Sequence, residues 1–356
     1  MSSIMTNAAA LTALQSLNAT SKSLEQTQAR ISTGYRVSQA SDNAAYWSIA
    51  TTMRSDNQAL STVQDALGLG ASKVDTAYTG MTNVLTTISQ IKTKLLSTVG
   101  QTDAAKAKTQ TEITALQAQM KSFADGATFS GSNFLSVTSK QVAVNNDGVQ
   151  ADAKIVSSFN RSSSGAVQLG TIDIDVESTK LFDSGLSTAV KNAGTLDRKT
   201  SIYSTGAAQT QYDTAYATAI AGGATDILAN TTAQAAVTGT PTKIDNVSAF
   251  NVDITAPGVT DDIITQMVTK IDNVMGQLTN SATILGSAKS SIDLQKTFTS
   301  SLMDSIDRGV GQLVDADMNK ESTRLQALQV QQQLGIQSLS IANSSSQSIL
   351  SLFKGG

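Results

Sequence analysis

The sequence predicts a mainly α protein, a long coiled-coil-like helical bundle formed by both chain ends with an inserted outer domain of mixed, mostly β character. Three observations carry this. The two prolines, Pro241 and Pro257, both fall late in the middle, so the flanking stretches are proline-free. Proline inside a helix costs about 3 kcal/mol, so long stretches without it suit long helices. Apolar residues recur every seventh position in both halves. Between them the text turns rich in Ser, Thr, Gly, Asn and Asp.

The N-terminal tip places Ile4, Leu11, Leu14, Leu17, Leu24 and Ile31 at helical spacing. Ser32, Thr33 and Gly34 then interrupt the helix. Asp42 or Asn43 is placed to cap the next one, with Trp47, the single tryptophan, in its first turns. From there a heptad seam runs through Ile49, Met53, Leu60, Val63, Leu67, Val74, Met81, Val84, Ile88, Ile91 and Leu95. At 1.5 Å per residue that helix is about 75–80 Å long. Ile113, Leu116, Met120 and Phe123 mark a shorter third helix.

The middle reads differently. QVAVNNDGVQADAKIV, residues 141 to 156, suggests two strands around an Asn-Asp-Gly turn. TIDIDVE (171 to 177) and FNVDIT (250 to 255) alternate apolar and polar residues, as half-buried strands do. The Ala- and Thr-rich piece 206 to 237 is ambiguous, with room for a short helix. A second seam follows: Ile264, Met267, Ile271, Val274, Leu278, Leu285, Ile292, Leu302, Ile306 and Leu313. The C-terminal tip places Leu325, Leu328, Leu339, Ala342, Ile349 and Phe353 at helical spacing. The expected division is a terminal coiled-coil core (1–34 with 316–356), a helical rod (35–137 with 259–315) and a surface-exposed domain (138–258).

The tips carry the sharpest physical signal. No charged side chain occurs between Met1 and Lys22, and none between Arg324 and Lys354. A solvent-facing helix usually has a charged outer face. Here the outer residues are Gln, Ser, Asn and Thr, which can be buried with hydrogen bonds at far lower cost than an ion. The expectation is a helix pair packed by other copies on most sides, disordered alone and folded on assembly. A core helix of an ordinary globule is the bland alternative. A membrane-surface helix would carry Lys or Arg on its polar face.

Composition excludes much else. With no cysteine and no histidine there are no disulfides, thiol nucleophiles or histidine triads, and nearly all zinc sites are removed. No cofactor is implied and no enzyme activity is expected. A net charge of −3 without a basic run argues against nucleic acid. The start lacks the basic and apolar regions of a cleaved secretory signal, and no run of 18 apolar residues suits a membrane-spanning helix. Asp173, Asp175 and Glu177 fall at strand spacing on one face; such a trio is more often a solvated face than a catalytic one.

Two long stretches resemble a known family. MTNAAALTALQSLNATSKSLEQTQARISTGYRVSQASDNAAYWSIATTMRS is similar to the N-terminal signature of bacterial flagellins. LVDADMNKESTRLQALQVQQQLGIQSLSIANSSSQSILSL, with its DADM element at Asp315 to Met318, is similar to the C-terminal one. The likeness covers roughly residues 1 to 137 and 259 to 356. It implies a subunit of the extracellular filament used for swimming, exported unfolded without a cleaved signal. The implied partners are copies of itself, other flagellins as candidate co-subunits, an export chaperone, and cap and junction proteins. A hook–filament junction protein of the same superfamily and an adhesin using the middle domain are the alternatives.

The chain departs from the common flagellin pattern in two places. Where the family often reads DDAAGL, this sequence has DNAAYW, with Asn43, Tyr46 and Trp47. The stretch that includes Arg30, Asp42, Asn43, Tyr46 and Trp47 resembles the epitope read by plant immune receptors, so altered charge and bulk imply weaker detection. The competing reading is that Tyr46 and Trp47 pack the start of the rod or touch a neighbour. Where animal-receptor-activating flagellins show R-x-R-E, the matching positions are Gln90, Lys92 and Thr93. The later Gln-Asn-Arg is also missing; Ala288 and Lys289-Ser290-Ser291 follow Leu285-Gly286-Ser287. Arginine's planar fork is not replaced by these residues, so poor stimulation of that receptor is expected.

Overall fold

The computed structural model describes residues 7–139, 150–162, 165–184, 193–239 and 241–354; at 227 and 345–354 it describes the backbone alone. Chain contacts divide it into two units, one of residues 1–61 with 301–356 and one of residues 62–300.

In the first unit, α1 (Ala8–Thr33) and α8 (Met318–Lys354) pack antiparallel. The Asn7 side chain caps α1 by accepting from the Ala10 N–H. Gly34 ends it with φ 76°, a left-handed conformation that costs a residue with a Cβ about 1–2 kcal/mol. The unit also holds the start of α2 (Ala44–Thr98) and the end of α7 (Asp261–Val314). A small core of Val37, Ala50, Val310 and Val314, with Met53, Ile306 and Leu313 against it, joins these pieces.

In the second unit the remaining parts of α2 and α7 pack with α3 (Asp103–Gly126). The α2 seam from Val63 to Leu95 is buried, as are Ile264, Met267, Ile271, Val274, Leu278, Leu285 and Ile292 of α7. From α3, Ile113 and Met120 are buried and Leu116 and Phe123 pack beside them. Gln117 joins the buried face, which the apolar pattern did not mark.

The seams depart from a strict heptad at one end. Ile49 is 49% exposed while its neighbour Ala50 is buried, and Val310 and Val314 are buried in place of Gly309 and Leu313. This corrects the assignment of Ile49 to the seam. A helix has 3.6 residues per turn, so a 3.5-residue stripe drifts by about 20° per heptad unless the helices supercoil. Leu302 is half-buried and Leu60 buried.

Short paired strands fill the rest: β1 (Thr128–Phe129) with β2 (Ser132–Asn133), antiparallel around Ser130-Gly131, and β3 (Ser136–Val137) parallel to a later strand. The long hairpin is β4 (Ala153–Arg161) with β5 (Val167–Ile174), bulged between Val156 and Ser158. The expected Asn-Asp-Gly turn and first strand of 141–149 lie outside the described residues. The second expected strand is the beginning of β4. Then come α4 (Val176–Thr179), β6 (Phe182–Asp183, the partner of β3), β7 (Thr200–Tyr203), α5 (Gly206–Ala221), α6 (Asp226–Ala236) and β8 (Lys243–Val247, paired with β7). The described middle is thus mixed, with helix and strand in comparable measure.

Two expectations for the middle are corrected. Residues 250–255 form no strand: Val252 and Ile254 are buried, but the Val252 carbonyl accepts from the Gln117 and Gln110 amides, and the Ile254 N–H donates to Gln110 Oε1 at 3.0 Å. Side-chain amides of α3 stand in for a partner strand. Asp173, Asp175 and Glu177 share no strand face, because β5 ends at Ile174 and Asp175 caps α4 through the Ser178 N–H.

The middle and the three helices share one core. Glycines set the distance: a Cβ on Gly70 would lie 2.5 Å from Ile155 Cγ2, and one on Gly80 would lie 2.7 Å from Ala127 Cβ.

Candidate functional site

The first unit contains the features that distinguish this chain from an ordinary helical protein. The α1–α8 pair is held by few polar links. Asn7 Nδ2 donates to the Ala342 carbonyl at 3.0 Å, and Arg30 Nη1 meets Glu321 Oε1 at 3.3 Å. Arg30 sits in the last turn of α1, where a cation also suits the helix dipole. Glu321 is 7% exposed, and its second oxygen has no hydrogen-bond partner among the described residues. Between these links Leu17 lies on Gly335, where a Cβ would come 3.2 Å from Leu17 Cδ1. Thr27 and Leu328 are buried, and Leu24, Ile31, Leu325, Leu339 and Ala342 are half-buried. Ile4 and the side chains of Ile349 and Phe353 lie outside the described residues.

The joint between the pair and the long helices is made by two strands of chain running side by side. Tyr35 bridges Asp315, the Arg36 and Val37 N–H groups donate to the Val314 carbonyl, and the Ala316 N–H donates to the Gly34 carbonyl at 2.9 Å. Arg54 lies over the Tyr35 ring at 4.8 Å, a cation–π contact. The DADM stretch gains a physical role here: Asp315 forms the bridge, and Asp317 accepts from the Asn319 and Lys320 N–H groups, capping α8. Asn43 caps α2 by accepting from the Tyr46 N–H at 3.1 Å. Asp42 instead accepts from Ser38 and Gln39; the Ser38 backbone N–H is the main cause holding its carboxyl below the usual range.

Much apolar surface is left uncovered. Leu11 is 53% exposed and Leu14 44%. On α8, Val330, Leu334 and Ile341 share one outward stripe and are 56%, 56% and 70% exposed, while Ile336 is exposed on another side of the helix. The sequence reading missed this stripe; its signal was the absence of charge along the whole tract. Tyr46 and Trp47 are 41% and 40% exposed, so part of each ring is also left uncovered. In the second unit Gln90 and Thr93 are exposed, while Lys92 pairs with Asp272 at 2.5 Å. Among the described residues no group of acidic side chains is arranged to hold a metal, and no helix is long and apolar enough to cross a membrane.

A paired set of chain ends with a charge-free, partly uncovered apolar face defines a protein built to pack against other polypeptide chains. The comparisons with known proteins agree. The bacterial flagellin N-terminal helical region matches residues 4–140, and the bacterial flagellin C-terminal helical region matches residues 268–353. Flagellin C of Rhizobium meliloti (strain 1021) is 46% identical over 360 residues, covering 99% of this chain and 100% of that protein. The flagellin of Brucella melitensis biotype 1 is 44% identical over 355 residues, covering both chains fully. Flagellin A of Rhizobium meliloti (strain 1021) is 44% identical over 407 residues, covering 99% of this chain and 100% of that protein. The chain belongs to the bacterial flagellins and is a structural subunit of the flagellar filament that serves motility.

Proposed function

We propose that the α1–α8 pair forms the filament core by packing its uncovered face against neighbouring copies. The three zones of the chain then serve as core (1–34 with 316–356), rod (35–137 with 259–315) and outer surface (138–258). The observation that carries this is the stripe of Val330, Leu334 and Ile341, exposed on the tract between Arg324 and Lys354, which has no charge to keep it in water. The chain acts by assembly and not by catalysis. It leaves the cell unfolded with a chaperone on its C-terminal segment and meets cap and junction proteins at the filament ends. Rhizobium meliloti relatives carry the names Flagellin A, B, C and D; co-polymerisation with other flagellins is part of the same proposal. Critical-concentration measurements on the intact protein and on a stripe variant test the packing of the core.

We also propose weakened immune detection. At the Arg30 to Trp47 stretch the support is exposed Tyr46 and Trp47 beside an Asp42 carboxylate already occupied by its own loop. At Gln90, Lys92 and Thr93 it is the lack of an arginine fork, with the only cation paired to Asp272. Reporter cells for the plant and animal receptors test both. Potency equal to that of flagellins with DDAAGL and R-x-R-E sequences overturns the reading.

A further inference from the structure

A cavity of about 470 Å³ opens in the second unit between one face of α5, one face of α7 and strand β7. That volume is in the range of small-molecule sites. Its composition is unlike a packing fault between helices, because the α7 wall is polar. Gln266, Asn273 and Gln277 follow one another along it at helical spacing. Among the described residues no hydrogen bond engages these three side-chain amides, so each offers a donor and an acceptor.

The opposite wall supplies an aromatic surface. Tyr212 and Tyr216 both line the cavity, their rings stacked with centroids 5.9 Å apart. Both phenols are occupied elsewhere. Tyr212 Oη donates to Asn230 and accepts from the Ser201 N–H, and Tyr216 Oη donates to Asp226 at 2.6 Å. None of Asn230, Ser201 and Asp226 lines the cavity, so the tyrosines present ring rather than hydroxyl to it. Asp213 is on the rim, with one oxygen accepting from Gln209 at 2.8 Å and the other open.

Both cations of the lining are held by the protein's own oxygens. Arg198 is balanced by Asp226 at 3.5 Å. Lys270 donates to the Val247 carbonyl at 2.5 Å and to Thr200 Oγ1. What remains is three neutral amides, one carboxylate oxygen and an aromatic face, set among the apolar side chains of Ile202, Ile220 and Val274 and beside the tied-back Lys270 ammonium. Vicinal hydroxyls, each a donor and an acceptor, match amides and a carboxylate, while the C–H face of a sugar ring matches an aromatic one.

We propose that this cavity is a binding site for neutral saccharides. It does not depend on polymerisation and is open to test on the full-length subunit in solution. The probe is a glycan array carrying neutral hexose and N-acetylhexosamine glycans alongside uronic acid glycans, followed by saturation-transfer NMR with the methyl glycosides of any hits. The expected result is binding of at least one neutral class. The double variant Asn273→Ala with Gln277→Ala, both on the exposed face of α7, should weaken it at least tenfold with unchanged helicity. Asp213→Asn, which keeps the side-chain shape, should weaken it independently. No neutral glycan bound at millimolar concentration, binding of uronic acids alone, or equal affinity in all variants overturns the assignment.

Discussion

Gly70→Ala separates helix propensity from packing in this protein. On an isolated helix the change stabilises by about 1 kcal/mol. Here the added Cβ would lie 2.5 Å from Ile155 Cγ2 and 2.8 Å from its Cδ1, and Ile155 is only 7% exposed. Overpacking of this kind costs about 1–3 kcal/mol, sometimes more. The net expectation is a loss of up to about 2 kcal/mol, in place of the gain of about 1 kcal/mol seen on an isolated helix. Ile155→Ala alone leaves a void and costs about 2–5 kcal/mol. In the double variant the new methyl enters the space Ile155 vacates, so the two effects couple by 1 kcal/mol or more in the favourable direction. The assay is urea unfolding of the monomer for all four members of the cycle, with hydrogen exchange on β4 to report the local response. If Gly70→Ala is simply more stable by about 1 kcal/mol, and the coupling is zero, hairpin β4–β5 does not sit on α2 as described.

Further outcomes follow from other sites. Val330→Ser with Leu334→Ser and Ile341→Ser removes apolar surface that only neighbours would cover. At roughly 1–2 kcal/mol for each side chain, given its present exposure, the critical concentration in a sedimentation assay rises 100-fold or more while monomer helicity is unchanged; an unchanged critical concentration contradicts the proposed core face. Burial raises the Asp197 carboxyl to about 6 from an ordinary 3.8. The folded state therefore binds the proton more tightly, and stability present below about pH 4 is lost as pH rises through 6, by about 3 kcal/mol at most. Thermal melting of Asp197→Asn should lack that decline between pH 4 and 7, and an identical pH profile in both proteins refutes the cause given. Gly34→Ala meets no neighbouring atom within 4 Å but must hold φ 76°, so it costs about 1–2 kcal/mol of joint stability by backbone strain alone, readable as faster hydrogen exchange at Tyr35 and Ala316.

The long helices were legible because burial of a single face forces the apolar period onto the sequence. The same logic placed Leu17, Leu328 and Leu339 on the inner side of the terminal pair. It failed at Ile49, where a 3.6-residue helix drifts from a 3.5-residue stripe and Ala50 takes the buried position. It also missed Val330, Leu334 and Ile341, since a helix with apolar residues on two sides does not reveal which side its own partner takes. In the middle, alternation identified the burial of Val252 and Ile254 but not what satisfies their backbone, because Gln110 and Gln117 come from a helix over a hundred residues earlier. α5 was ambiguous because its Ala and Thr residues give it no distinct apolar side. The saccharide cavity was invisible for a related reason: its walls, on α5 and α7, are brought together only by the fold.

The central claim is that the uncharged terminal pair is what neighbours pack against. Electron microscopy of the concentrated protein, intact and lacking residues 325 to 356, tests it most directly. The account predicts filaments from the intact chain and none from the truncated one; equal polymerisation of both would contradict it.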